Sequence, residues 1–357
     1  MGETIMGQKL ENKAEKQSPL AWFQSNWKQH PLFSTGVVLI LMIIIQTGVM
    51  IANSSGGTFG ELCLSLLTNW INILKNNASV GIIALGMTFV IISGGIDLSV
   101  GSTLVAIGAV VMLFIDGSAT GLLSGLGITG VPAYLVGILA GLLFGAVLGE
   151  VNGALIAYGK LPPFIATLGM MKICRSVTQH FTQHANPAVP KGFLNIANLK
   201  IGGFAIMPIL YWAALAALLY LVSRRTTFGR HVYAIGSNAR TAKLSGIDVN
   251  KVKRRVYVLT GALVAVAAVI QVSRIGSMDY ASAGSGYEMD AIAAVIVGGT
   301  SMSGGRGSII GTVFGMLIIG VMNNLLTLMG VPPFLREACK GVIVIAAVLL
   351  QKKEADS

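Results

Sequence analysis

Two apolar runs without a single charge, residues 205–223 and 256–273, flank a segment, 224–255, that holds nine Lys/Arg and one acid, Asp248. As a helix, each run is long enough to cross a hydrocarbon core of about 30 Å at about 1.5 Å per residue. Backbone polar groups in lipid must be paired within their own segment, so such runs are committed to helix. Loops this dense in positive charge stay on the cytoplasmic side of a membrane. The segment 224–255 is therefore expected to be a large cytoplasmic loop, and a loop of that kind asks for a partner.

The rest of the chain agrees. Of 357 residues, 54% are hydrophobic and 11% charged, against roughly 25% charged in soluble domains. The expectation is an all-α, multi-pass membrane protein. The net charge of +11 sits in loops that would face anionic lipid. No basic stripe with interleaved aromatics accompanies it, which excludes a nucleic-acid partner. Cys63, Cys174 and Cys339 show no paired spacing and read as free thiols. Residues 1–33 mix lysines with glutamates and are expected to be an uncleaved cytoplasmic tail.

About ten crossings are expected, at 35–52, 76–93, 101–115, 131–158, 163–180, 205–223, 256–273, 292–299, 309–328 and 338–350. They make one membrane domain over 34–351, with 352–357 as a second cytoplasmic tail. Starting inside, this count puts 224–255, Lys160 and Lys352-Lys353 in the cytoplasm and 274–290 outside. The loop 185–204, with Lys191 and Lys200, falls outside against the charge bias.

Forty-five glycines imply close helix approach and broken helices. They cluster in 94–101 and 298–305, both of the form GG-x3-S-x-G, and the crossing count puts both clusters on one side. A second echo, Leu161-Pro162-Pro163-Phe164 against Val331-Pro332-Pro333-Phe334, falls on opposite sides, as an inverted repeat would.

Few side chains offer chemistry. Asp97 follows the first glycine pair; it reads as a gate or as an interfacial acid favouring the N-terminus of the next helix. Glu150 and Asn152 interrupt the fourth run, and Glu150 lies near Lys160 at the expected cytoplasmic end. Asn323 and Asn324 can join helices or meet sugar hydroxyls. His180 and His184 lack the glutamate of a zinc motif, so no metal is expected, and no catalytic constellation is present. No phosphate-binding GxxxxGK[ST] occurs either, so any ATP is bound by another polypeptide.

Within the basic loop, residues 239–245 can form two helical turns, capped by Asn238 or Ser237 and stopped by Gly246, with Ala242 and Leu244 offering a small apolar face beside Arg240 and Lys243. Four stretches, 92–102 (ISGGIDLSVGS), 161–169 (LPPFIATLG), 229–249 and 286–311 (GYEMDAIAAVIVGGTSMSGGRGSIIG), resemble the permease subunits of ribose-type monosaccharide ABC importers. The resemblance covers residues 70–351. It implies a type II importer fold of ten helices, a homodimer in a bacterial cytoplasmic (inner) membrane with both termini inside, and no enzymatic activity or cofactor on this chain. ATP and Mg would sit on a separate ATPase, and an extracytoplasmic sugar-binding protein would deliver ribose or a related pentose or hexose. It also implies that 229–249 couples to the ATPase, through Gly229, Gly236, Asn238, Arg240, Ala242, Lys243, Ser245 and Gly246. Asp97, Asn152, Thr167 and Asn323 are the polar residues expected near the sugar path. Loops 185–204 and 274–290 are the expected docking sites for the binding protein. The alternative is an ion-coupled secondary sugar transporter, which would need a buried ion site.

Overall fold

The computed structural model describes residues 31–53, 58–118, 121–182, 187–342 and 345. Both expected tails fall outside these residues, apart from the first helix beginning at Pro31, and so do His184 and most of the tenth expected crossing. In chain order the helices are α1 Pro31–Asn53, α2 Phe59–Ile92, α3 Val100–Ile115, α4 Val131–Ala157, α5 Pro163–Thr182 and α6 Lys191–Asn198. Then come α7 Met207–Arg225, α8 Thr227–Ser237, α9 Ala239–Leu244, α10 Val249–Ile275, α11 Tyr287–Val297 and α12 Ile309–Leu328. Residues 333–342 are helical as well and are called α13.

Six of these are long and apolar enough to cross a membrane: α1 (over Phe33–Asn53), α2, α4, α7, α10 and α12. The centre of the bundle is α2 with α10, whose apolar windows are 83% and 78% buried, whereas α1, α4 and α7 present most of theirs outward. Leu135, Leu139, Leu143 and Val147 of α4 are exposed, as lipid-facing side chains should be.

Several expectations change in detail. The second crossing was expected from 76, yet α2 starts at Phe59 and its 34 residues reach about 51 Å. Polar residues such as Thr68, Asn69 and Lys75 dilute the hydropathy of its first half. The start is nonetheless written in Thr58 and Glu61: the Thr58 hydroxyl accepts from Glu61 N–H, and the Glu61 carboxylate accepts from Thr58 N–H at 2.8 Å, a reciprocal cap. Among the described residues the fold is not purely α. Lys200–Ile201 and Phe204–Ala205 pair as a small antiparallel hairpin around Gly202-Gly203, which supply the positive φ that tight hairpin turns require.

The expected third and eighth crossings are short. The 16 residues of α3 and 11 of α11 measure about 24 and 16 Å, too short to span alone. They are tolerated because they are enclosed by protein rather than lipid. The chain from 93 to 99 does not stay at the bundle's end. It turns inward, so that Asp97, Ser99 and Val100 lie against Gly261 and Val264, the middle of α10. From the other side Gly284, in a segment expected outside, packs backbone to backbone on Gly101 at the start of α3. The first turns of two half-helices therefore meet deep in the protein.

Close packing rests on a stripe the sequence carries in plain view. Gly137, Gly141, Gly145, Gly149 and Gly153 recur every fourth residue of α4 and form one buried face. A Cβ at Gly145 would come 2.6 Å from the Gly261 carbonyl oxygen; one at Gly149 would overlap that of Tyr257. Small residues at this spacing let helix backbones approach in lipid. The two Pro-Pro-Phe stretches also gain a local account. Pro162 O accepts from Ile165 and Ala166 N–H, and Pro332 O from Leu335 and Arg336 N–H, so both are helix starts with proline in the first turn.

Candidate functional site

The basic segment is more helical than its sequence suggested. α7 carries Arg224 and Arg225 in its last turn. α8 then starts from a Thr226 cap whose hydroxyl accepts from Gly229 N–H at 3.1 Å. Gly229 is buried, and a Cβ there would overlap the Ser223 carbonyl. It permits α8 to fold back on α7 rather than offering a surface. Lys251, Lys253, Arg254 and Arg255 form the first turns of α10.

Between them lies α9, the expected short helix. The Asn238 carboxamide oxygen accepts from Thr241 N–H at 2.9 Å. At the other end, Gly246 at φ +83° donates to Lys243 O and Ile247 to Ala242 O, each at 3.1 Å. That is a left-handed stop at which glycine is favoured. Arg240, Lys243 and Ser245 are exposed, with the Ser245 hydroxyl on Thr241 O at 3.1 Å. The pairing of Ala242 with Leu244 fails, because residues two apart on a helix do not share a face. Ala242 is 4% exposed and packs inward; Leu244 is 84% exposed at the tip. Losing a cap costs about 0.5–2 kcal/mol. Asn238→Ala is thus expected to fray α9 and weaken capture of any protein that binds it severalfold, while Asn238→Asp holds it; pull-down from detergent reads the difference.

What anchors α9 to the bundle is a junction of three glycine-rich segments. A Cβ at Gly236 would overlap the Ile92 carbonyl oxygen, at the end of α2, and come within 2.6 Å of Gly305 N. Gly305 N–H donates to that same Ile92 oxygen at 2.9 Å. Gly304 faces the Gly236 carbonyl, and Gly305 faces Ser237. The Tyr233 hydroxyl, held protonated by burial that pushes its pKa above the usual phenol range, donates to Gly307 O at 2.9 Å. Phe228 stacks on Phe89 with ring centres 6.0 Å apart. Gly94 of the first GG cluster and Gly304-Gly305 of the second thus meet at one end of the bundle, beneath α9, on one side as expected.

The polar residues expected near a path sit in varied surroundings. Asp97 is 4% exposed, so it is no interfacial acid, although it does serve the start of α3. Its Oδ1 accepts from Ser99 N–H at 2.9 Å and from the Ser99 hydroxyl at 2.6 Å. Asn152 donates to Ser99 Oγ at 2.9 Å. These residues share a cavity of about 10 Å³, enough for a water and far below a sugar. Thr167 is fully buried with its hydroxyl on Pro163 O at 2.9 Å. The two late asparagines separate: Asn324 joins Gln46 and Asn69 in an amide cluster binding α1, α2 and α12, while the Asn323 carboxamide oxygen has no hydrogen-bond partner. Glu150 meets Arg254 of α10 at 3.5 Å, both partly exposed. Among the described residues no cluster of three His, Cys, Asp or Glu could hold a metal ion.

The chain is thus a multi-span helical body with a braced, exposed basic helix. The chain belongs to the family described as branched-chain amino acid transport system / permease component, whose model matches residues 69–348. It is 40% identical over 297 residues to the ribose import permease protein RbsC of Escherichia coli K12, covering 81% of this chain and 87% of that one. It is 43% identical over 291 residues to RbsC of Bacillus subtilis 168, covering 80% and 85%. With the fructose import permease protein FrcC of Rhizobium meliloti it shares 34% over 334 residues, covering 91% and 87%. No solved structure matches.

Proposed function

We propose that this chain is the membrane-spanning subunit of an ATP-driven importer of a monosaccharide, ribose or a related pentose or hexose. The carrying observation is α9, an exposed, doubly capped basic helix fixed through the glycine junction to the end of α2 and to the segment preceding α12. The relatives with ribose and fructose in their names support the substrate class. ATP and Mg bind the partner ATPase, whose closure displaces α9. The junction passes that displacement to α2 and α12, which tilt the bundle between inward-open and outward-open forms. The six long spans, with α5, with α3 and α11 each completed by the chain leading into it, and with the expected crossing over 338–350, make ten crossings. Both termini then lie in the cytoplasm of a bacterial inner-membrane protein, and two copies form the pore. A sugar-binding protein docks on the opposite side, and Asn323, whose carboxamide oxygen has no hydrogen-bond partner, meets sugar hydroxyls.

Reconstitution tests this reading. Uptake into liposomes should require ATP on the α9 side and the binding protein on the other, and should survive collapse of ion gradients. Uptake driven by an ion gradient without an ATPase would replace it with the carrier. The same contest bears on Glu150: its partly exposed pair with Arg254 contributes about 0–1 kcal/mol. Glu150→Gln is expected to leave uptake within about twofold of the parent, whereas a proton-coupling carboxylate would lose it.

A further inference from the structure

The water-sized cavity beside Asp97 is lined by Ser99, Thr103, Leu148, Asn152 and the middle of α10. Its hydrogen-bond polarity follows from counting protons. An ionised carboxylate can only accept, so the single Ser99 hydroxyl proton goes to Asp97 Oδ1. Ser99 Oγ must then accept, and it does so from the Asn152 amide nitrogen. That fixes the carboxamide and leaves Asn152 Oδ1, in a residue 2% exposed, with no partner. Both Ser99 bonds fall on Oδ1 of Asp97, so its Oδ2 is also without a donor. Two acceptors thus border one small cavity, and one of them bears a charge whenever Asp97 is ionised.

Nothing nearby neutralises that charge. Among the described residues the ion pairs involve Glu150, Asp290 and Glu337, never Asp97. The ionisable groups that sense Asp97, Cys174 and Tyr257, cannot carry a positive charge. A carboxylate buried without a counter-charge is among the costliest groups a protein can hold. The start of α3 offsets part of that cost, but it supplies no donor to Oδ2 or to Asn152.

We propose that this cavity binds one dehydrated monovalent cation, Na⁺, held by Asp97 and Asn152 with the hydroxyl oxygens of Ser99 and Thr103 completing an all-oxygen shell. Hard cations take oxygen ligands, and a single carboxylate among neutral oxygens suits one positive charge rather than two. The ion is structural: it ties the start of α3 to α4, and does not travel with substrate.

The test is a cation titration of the purified full-length chain in detergent. NaCl should raise Tm by about 2–4 °C with a saturable midpoint, relative to choline chloride at equal ionic strength, and KCl should do less. Asp97→Asn should abolish the shift and Asn152→Ala should reduce it. Equal Tm in Na⁺ and choline, or an undiminished Na⁺ shift in Asp97→Asn, would overturn the proposal. Should either variant fail to fold, equilibrium binding of ²²Na⁺ to the unmodified chain decides alone: about one saturable ion per chain supports the site. None means that water or a protonated Asp97 fills the role.

Discussion

Replacing Gly236 with alanine is expected to cut sugar uptake by at least about tenfold while the chain still inserts and still captures its ATPase. The new Cβ would overlap the carbonyl oxygen of Ile92 and crowd Gly305 N at 2.6 Å. Both neighbours are backbone, so no rotamer change relieves the contact. Overpacking of this kind costs about 1–3 kcal/mol, and about 1.4 kcal/mol is a factor of ten in an equilibrium. α9 keeps its own Asn238 cap, so its docking face survives while its attachment to α2 does not. Gly246 is the control. No atom lies within 4 Å of a Cβ there, and the difficulty is only its φ of +83°. Gly246→Asn, a residue that tolerates that region, should retain most uptake. Uptake per copy of membrane-inserted protein, measured beside ATPase pull-down, separates the two. Normal transport by Gly236→Ala would remove the junction from the mechanism.

The second large effect is expected where α4 meets α10. A Cβ on Gly261 would overlap the Gly145 carbonyl oxygen. One on Gly145 would lie 2.6 Å from the Gly261 carbonyl and 2.9 Å from Ala265 Cβ and Ile107 Cδ1. Either alanine should destabilise the chain by about 1–3 kcal/mol, seen as a lower Tm in detergent. The two clashes share one cause, since each pushes the same pair of helices apart. The double variant should therefore lose less than the sum of the singles, by about 0.5–3 kcal/mol. Simple additivity would mean that the two glycines do not form a common contact.

Legibility followed the range of the forces involved. The α9 helix was readable because a cap and a stop are local: Asn238 and Gly246 act on neighbours within four residues. The start of α2 was equally local, in Thr58 and Glu61, but was hidden behind a hydropathy criterion that its polar first half fails. Ala242 and Leu244 were misjoined by treating composition as a face. The α4 stripe was visible as a period of four, yet its partner Gly261 was not, since nothing in α4 says which helix will meet it. Asp97 shows the same limit. Its sequence position, after a long apolar run, resembles a membrane surface, and only the inward path of 93–99 places it against the middle of α10. Gly236 carries no local sign that it touches Ile92 and Gly305, because that contact joins three segments far apart in the chain.

The glycine face of α4 also sets a clock on the making of this protein. At about 5–20 residues per second, the ribosome needs about 6–23 s to travel the roughly 116 residues from Gly145 to Gly261. Throughout that interval Gly137 and Gly141 already have Ile107, Val111 and Ile115 of α3 to pack on, but the backbone groove at Gly145, Gly149 and Gly153 waits for an α10 not yet made. Its other face, Leu135, Leu139 and Leu143, is already where it will stay. A newborn chain stalled in that interval would present the same groove to membrane proteases and to other nascent helices. The feature that lets the finished bundle pack so tightly is therefore the one that leaves the unfinished chain most vulnerable.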